Sequence, residues 1–364
     1  MAFDIFLVTA PGLEGVLAEE ARALGLAVTG TIPGGVTVTG GWPEVWRANT
    51  ALRGATRVLA RIAEFRAFHL AQLDKRARKL DWGAVLRPDE PVRVEVSTKR
   101  SKIYHAKAAA QRIERAIAEE LGAPVTAEAV VQLKVRIDDD LVTISVDTSG
   151  ESLHKRGHKL FTGKAPMRET MAALMLRACG YTGTEPVVDP MCGSGTFVIE
   201  AAEIAAGLVP GRDRPFAFER LATHDPEAVA ALRQAPPRET GLLFHGSDRD
   251  QGAIAGARDN AERAGVAALT RFTRAPLSDF QRPEGPPGLV MVNPPYGGRI
   301  GDRKRLFALY GSLGAVLTDR FAGWQLGLVT DDGGLAKATG LELRASEPIA
   351  HGGLKVKLYQ AGPL

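Results

Sequence analysis

The sequence is poor in cysteine, with only Cys179 and Cys192 among 364 residues. Two thiols cannot build a disulfide framework or a cysteine-rich zinc site. No apolar run approaches the roughly 18 residues that a membrane helix needs. The start, Met1-Ala2-Phe3-Asp4, has neither the positive head nor the apolar stretch of a signal peptide. A cytoplasmic protein is expected. No repeat of fixed period and no low-complexity tract are present. With 45% hydrophobic and 24% charged residues, wholesale disorder is excluded. The length exceeds one ordinary core, so two or three packed units are expected.

The net charge of +4 looks bland until it is placed along the chain. Residues 1–46 carry a net −4, residues 47–115 a net +10 and residues 116–151 a net −6. One reading of the basic stretch is a solvated helix face. The other is a surface that attracts a polyanion and releases its counterions.

Alternation, turn residues and helical spacing outline the elements. A strand is expected at 3–9, a helix at 13–24, and strand pieces at 27–32 and 35–39. From Trp42 to Phe65 the apolar residues fall at helical spacing, with Arg47, Arg53, Arg57 and Arg61 off the stripe. A strand at 92–97, a helix at 106–121 and a hairpin of 130–137 with 141–148 complete an α+β half. Residues 152–163 are polar, basic and turn-rich, a linker in character. Beyond them strands at 186–189, 242–247, 270–274, 289–293 and 324–330, with late ones near 341–346 and 355–359, alternate with helices. That rhythm predicts a doubly wound, mostly parallel sheet. Residues 207–240, rich in Pro and Arg, read as an insertion.

The most informative segment is Val187-Val188-Asp189-Pro190-Met191-Cys192-Gly193-Ser194-Gly195-Thr196. An apolar strand ends in an acid, turns through glycines and enters a helix, which puts the loop where doubly wound sheets bind ligands. An ordinary strand–helix turn is the bland alternative. The third glycine of the dinucleotide fingerprint is missing, because Val198 stands there. An anion at Asp189 repels a pyrophosphate but suits an ammonium. The next strand ends at Ser247-Asp248-Arg249-Asp250, where an acid can take ribose hydroxyls. A nucleoside with an ammonium describes S-adenosylmethionine better than NAD. The Gly-Lys-Ser/Thr ending of a phosphate loop and the spacing of a nucleophile elbow are both absent.

The second segment is Val290-Met291-Val292-Asn293-Pro294-Pro295-Tyr296-Gly297. Its prolines stiffen the backbone and hold Asn293 extended. The Asn293 side-chain oxygen and the Pro294 carbonyl can accept both protons of a planar NH2 group while Tyr296 stacks on its ring. A structural Pro-Pro turn over a core tyrosine is the alternative.

Together, Asn293-Pro294-Pro295-Tyr296 and Asp189–Thr196 resemble the class I methyltransferases that modify exocyclic amines of nucleobases. Ser149-Gly150-Glu151-Ser152-Leu153-His154-Lys155-Arg156-Gly157 and Ala165-Pro166-Met167-Arg168-Glu169-Thr170 resemble the junction of THUMP-containing RNA methyltransferases. Asn49-Thr50-Ala51-Leu52-Arg53 and Ser101-Lys102-Ile103-Tyr104-His105 resemble their RNA-binding half. The likeness is greatest to the bacterial 23S rRNA guanine-N(2) methyltransferase group in its single-methyltransferase form, and spans nearly the whole chain. It implies an α/β fold, with a Rossmann-like methyltransferase domain (156–364) preceded by α+β ferredoxin-like (1–45) and THUMP (46–155) domains.

The resemblance implies methyl transfer from S-adenosylmethionine to guanine N(2) in RNA, 23S rRNA first and tRNA second, by a monomer that uses no metal and no membrane. Asn293, Pro294, Pro295 and Tyr296 would hold the base. Asp189, Pro190, Met191, Cys192, Gly193, Ser194, Gly195 and Thr196 would hold the methionine end, with Asp248 and Arg249 at the ribose. Phe161, Thr162 and Ala165 would close the pocket. Arg53, Arg57, Lys99, Arg100, Lys102, Lys107, Lys155 and Arg156 would meet RNA. Two departures stand out. Where many relatives have an acid after the third strand, this chain reads Ala275-Pro276-Leu277-Ser278-Asp279, which leaves backbone or Asp279 for adenine. A common Glu after Tyr296-Gly297 is Gly298 here. Rivals are adenine-N(6) methylation of DNA or RNA, methylation of a protein glutamine amide, and an RNA-binding assembly factor with a dead methyltransferase fold. His154 and His158 do not read as a metal pair, and Cys192, Trp42, Trp46 and Phe65 read as packing.

Overall fold

The computed structural model describes residues 2–163, 166–234, 236–297 and 303–364. They form two compact units. The first comprises the chain up to Thr9, Ala18–Leu153 and Gly211–Gln234; the second comprises Ala10–Leu17, His154–Pro210 and Ala235–Leu364.

In the first half the order is β1 (Phe3–Val8), α1 (Glu14–Ala23), β2 (Ala27–Ile32), β3 (Gly35–Gly40), α2 (Trp42–Ala51), β4 (Arg57–Arg66), α3 (Leu70–Ala77), β5 (Val92–Lys99), α4 (Ala106–Glu120), β6 (Val131–Asp138) and β7 (Leu141–Asp147). One seven-stranded sheet runs β2-β3-β1-β4-β7-β6-β5. Among the described strand pairs of this sheet only β5 with β6 is parallel. The β6–β7 hairpin closes at Asp138 and Leu141, and Asp139 and Asp140 both take positive φ, 52° and 60°. That is the primed two-residue turn whose twist matches the strands.

One expectation is corrected here. The apolar stripe from Trp42 to Phe65 is not one helix: α2 stops at Ala51, Leu52 is extended, and β4 begins at Arg57. Within 57–62 an alternating reading competes with the helical one. Pairing with β1 on one side and β7 on the other decides for the strand. Through β4, the parts expected to be separate ferredoxin-like and THUMP domains share one sheet and lie in one compact unit.

The second half continues with α5 (Glu169–Ala178), β8 (Val187–Asp189), α6 (Thr196–Ala205), α7 (Pro226–Arg233), β9 (Phe244–Asp248), α8 (Gln251–Arg263), β10 (Thr270–Arg274), β11 (Leu289–Val292), α9 (Arg303–Arg320), β12 (Gln325–Thr330), α10 (Gly333–Ala338), β13 (Arg344–Ala345), β14 (Ile349–His351) and β15 (Leu354–Ala361). The second sheet runs β10-β9-β8-β11-β12-β15-β13, with β14 beside β15. The five strands from β10 to β12 are parallel and β15 is antiparallel to β12. Strand order reverses between β8 and β11, and the crevice at such a reversal is where doubly wound sheets bind ligands. A core containing Trp324, Tyr310, Phe321 and Phe280 fills one face, Phe280 stacked on Phe321 at 5.4 Å. It supports the turn that follows β11.

The expected insertion is present, but its middle belongs to the first unit. Residues 211–234, α7 included, pack there through buried Phe216, Phe218, Leu221 and Val229. The Gly211 N–H bonds to the Thr50 carbonyl and the Phe218 N–H to that of Thr148. The Arg214 guanidinium donates to the Ser149, Glu151 and Ser152 carbonyls.

Candidate methyl-donor and base site

The glycine loop leaves β8 at the switch point. Gly195, at φ +79°, is the N-cap of α6. A Cβ there would meet the Phe272 ring at 3.0 Å and Ala257 at 3.1 Å, so both conformation and space require glycine. Beside Gly193 the space is open, which leaves its backbone approachable.

Asp189 is buried, and its Oδ1 accepts the Met191 N–H at 3.0 Å. Burial pushes its carboxyl up to about 8; the Met191 hydrogen bond opposes this, and the Asp248 charge adds to it. Among the described residues it has no cationic partner. Asp248, at the end of β9, accepts the Gly193 N–H on Oδ2 at 3.1 Å and the Asp250 N–H on Oδ1 at 2.9 Å. It ties the first two loops together and keeps lone pairs for further donors. An ammonium at Asp189, hydroxyls at Asp248 and open space along Gly193 fit S-adenosylmethionine. Cys192 is buried, with burial holding its thiol well above the ordinary range. It packs rather than reacts.

Phe161 docks on α8, where Gly256 leaves it room: a Cβ on Gly256 would fall 2.2 Å from the ring. Asn260, fully buried one turn on, fastens the same segment. Its Oδ1 accepts the Leu160 and Phe161 N–H groups, and its Nδ2 donates to the Phe161 carbonyl and to the Ser194 carbonyl of the glycine loop. Arg263 adds bonds to Asn260 Oδ1 and the His158 carbonyl. Sequence reasoning missed Asn260 and Arg263. Their signal was helical spacing from Gly256, which puts all three on one face of α8.

Thr162 is exposed, and Ala165 lies outside the described residues, as does Gly298. Arg249 and Asp279 are exposed, and Asp279 Oδ1 accepts from Ser278 Oγ at 3.0 Å.

Residues 152–163 hold no regular element, yet they are anchored. The Arg156 guanidinium is only 2% exposed and pairs with Glu200 and Glu203 on α6. Its expected phosphate contact is therefore corrected: the side chain is committed to two buried carboxylates. Lys159 donates to the Met167 carbonyl and to Thr196 Oγ1 at 2.6 and 2.8 Å and pairs with Glu169. Neither glutamate nor Lys159 was singled out from sequence. His158 is buried near Glu203, and no metal-binding cluster occurs among the described residues.

After β11, Pro294 is buried while Asn293, Pro295 and Tyr296 are half-buried. The Asn293 Oδ1 atom is buried with no hydrogen-bond donor among the described residues. A buried acceptor without a donor is costly unless a ligand supplies one. The Pro295 carbonyl of this turn is not open, because the Tyr310 hydroxyl donates to it at 3.5 Å.

Of the residues expected to meet RNA, Lys99, Lys102 and Lys107 are exposed. Arg100 is exposed and pairs with Asp138. Arg57 bonds to Asp147 and the Gly150 carbonyl inside the first unit, which gives it a structural task. Arg53 is half-buried and Lys155 exposed.

Comparison with known proteins adds to this geometry. Residues 156–357 match the family described as RMKL-like, methyltransferase domain, and residues 4–59 the RlmL ferredoxin-like domain. A Syntrophotalea carbinolica protein named ribosomal RNA large subunit methyltransferase K/L is 36% identical over 97% of this chain and 53% of its own length. The chain thus spans about half the length of the curated relatives it matches. The structure of SMU.472 complexed with SAH superposes with a TM-score of 0.88 at 30% identity, over 99% of this chain and 97% of that one. A Listeria monocytogenes protein, by name a predicted N6-adenine-specific DNA methylase, superposes at 0.89 with 31% identity, over 100% and 97%.

Proposed function

The chain belongs to the RMKL-like methyltransferase family, and from that premise we propose that it methylates the exocyclic N(2) amine of a guanine in RNA, 23S rRNA first. The observation that carries the reading is the pairing at one switch point of two groups without partners among the described residues, the buried Asp189 carboxylate with no cation and the buried Asn293 Oδ1 with no donor. When bound, S-adenosylmethionine supplies a methyl group on a sulfonium, already a good electrophile. What remains for this chain is alignment and exclusion of water.

Asp189 takes the ammonium and Asp248 the ribose. Phe161, seated on Gly256, covers the donor. Asn293 Oδ1 and the Pro294 carbonyl accept the two amine protons and point the nitrogen lone pair at the methyl carbon. Tyr296 stacks on the base. Transfer would form the N–C bond as the donor's C–S bond broke and left a neutral thioether, and the cationic nitrogen would lose one proton through the Asn293 and Pro294 oxygens to solvent without a strong base. In this reading residues 1–45 are the ferredoxin-like part, 46–155 the THUMP part that grips RNA, and 156–364 the catalytic domain of a cytoplasmic monomer.

The Asn293-Pro294-Pro295-Tyr296 turn serves adenine-N(6) chemistry as well, so the product nucleoside decides. Mass mapping of rRNA and tRNA from a deletion strain should show one N(2)-methylguanosine missing from 23S rRNA and restored by the gene. Loss from tRNA would move the substrate, and loss of N(6)-methyladenine would overturn the guanine reading. Asn293→Ala should abolish turnover while calorimetry still finds donor binding. Loss of binding with it would assign Asn293 to the donor pocket.

A further inference from the structure

The turn after β12 carries a second unsatisfied acceptor beside the first. β11 and β12 are parallel neighbours, with Val292 opposite Leu328. Asn293 and Asp331 therefore leave the same edge of the sheet from adjacent strands. Asp331 Oδ1, like Asn293 Oδ1, is buried with no hydrogen-bond donor among the described residues. Its Oδ2 faces the Tyr296 turn: a Cβ built on Gly297 would lie 3.6 Å away. Its charge also reaches the Tyr296 hydroxyl, which burial first and Asp331 second push up to about 12. The next residue, Asp332, is spent elsewhere, with Oδ1 capping α10 at Gly334 and Oδ2 facing Arg303. Asp331 has no such structural duty among the described residues.

We propose that Asp331 is the specificity-determining residue for the base, accepting the N1–H of guanine while Asn293 and Pro294 accept the protons of its N(2) amine. A flipped base is read on its Watson–Crick edge. On guanine that edge carries N1–H and the N(2) amine side by side, which are adjacent donors. On adenine the atom beside the amine is N1, an acceptor. Two fixed acceptors match the first edge, whereas the second sets a carboxylate against a lone pair. A site built to bond one N–H rejects the analogue that lacks it far more strongly than an apolar pocket rejects a missing methylene. The inference deepens the guanine reading and rests on it.

2-Aminopurine separates the two, because it keeps the N(2) amine and presents N1 as an acceptor. The test uses the full chain and a 23S rRNA transcript, assembled by splinted ligation, with the mapped guanine either intact or replaced by 2-aminopurine. The wild type should prefer guanine by about 10⁴-fold or more in kcat/KM. Asp331→Asn, whose amide can turn its NH2 toward N1, should lose activity on guanine and gain on 2-aminopurine, so the preference collapses or reverses. Equal use of both bases by the wild type would overturn the role of Asp331 and leave the guanine reading intact. So would an Asp331→Asn variant slowed equally on both. The wild-type comparison holds even if that variant folds poorly. A transcript methylated on adenine and not on guanine would instead overturn the proposed function itself, which the identity of the product nucleoside reveals.

Discussion

A carboxyl buried without a cation makes Asp189 a reporter of donor binding. Its pKa is raised, to about 8 against 3.8, so the folded, donor-free protein holds this proton more tightly than the unfolded chain does. The stability it contributes is complete below the unfolded value and is lost as pH rises through the folded one. An incoming ammonium favours the ionised form, so donor binding should expel a proton between pH 6 and 8. Affinity should weaken by up to about tenfold for each unit that the pH falls in that window. Calorimetry in buffers of different ionisation heat reads the proton directly. Asp189→Asn should bind donor weakly, with no proton release and a flatter pH profile of melting temperature. At this scale Asp189 and Asn293 were legible because each closes an apolar strand and opens an unusual turn. Asp331 was not, since an Asp-Asp pair before two glycines reads as an ordinary helix cap. Only folding shows that one of the two is left over.

Among elements, α8 does more than cover the sheet. Its face of Gly256, Asn260 and Arg263 binds residues 158–161 and, through Asn260, the glycine loop. Gly256→Ala puts a methyl where the Phe161 ring sits. Expelling that ring should cost donor affinity by about tenfold, while overpacking typically costs about 1–3 kcal/mol of stability. Donor titration and thermal melting of the same variant separate the two effects, and an unchanged donor affinity would remove Phe161 from the pocket. Of the parallel strands, β10, Thr270–Arg274, was readable to the residue and the other four of its sheet to within two residues, because turn residues lie near their ends. β4 was misread because alternation over 57–62 was absorbed into a longer apolar stripe. Residues 152–163 read as a basic linker, since sequence does not reveal that Arg156 finds two glutamates 44 and 47 residues further along.

Across the molecule, the charge segregated in sequence is largely mixed by folding. The basic stretch 47–115 meets acids from both flanks: Arg61 with Asp4, Arg78 with Glu119 and Glu120, and Arg100 with Asp138. Net over residues 1–151 the formal charge is zero. Attraction for a polyanion must then come from local patches. The loop after β5 supplies one: Lys99 and Lys102 are exposed, Lys102 lies 5.0 Å over the Phe68 ring, and Tyr104 is 70% exposed against His105. Lys99→Glu with Lys102→Glu should weaken RNA binding and lower its salt slope by roughly 0.7–0.9 for each phosphate no longer neutralised. Donor affinity should stay as it is, because the residues proposed to hold the donor all lie in the other unit. Filter binding at several salt concentrations checks the first effect and calorimetry the second. An unaltered salt slope would reduce the patch to solvated surface.

The place of residues 211–234 bears on how the protein is made. A chain leaving the ribosome exposes residues 2–153 first, yet the unit they form lacks a part that is synthesised much later. Until residue 234 emerges, the surfaces that receive Phe216, Phe218, Leu221 and Val229 stay uncovered, each side chain withholding about 1.5–3 kcal/mol. Against a whole-domain stability of about 5–15 kcal/mol that deficit is large. The amino-terminal unit should therefore mature out of order, after the glycine loop has already been translated. Chains ending at residue 209 should show that unit open to protease, and chains ending at residue 240 should show it closed. Translation order and folding order part company within this one polypeptide.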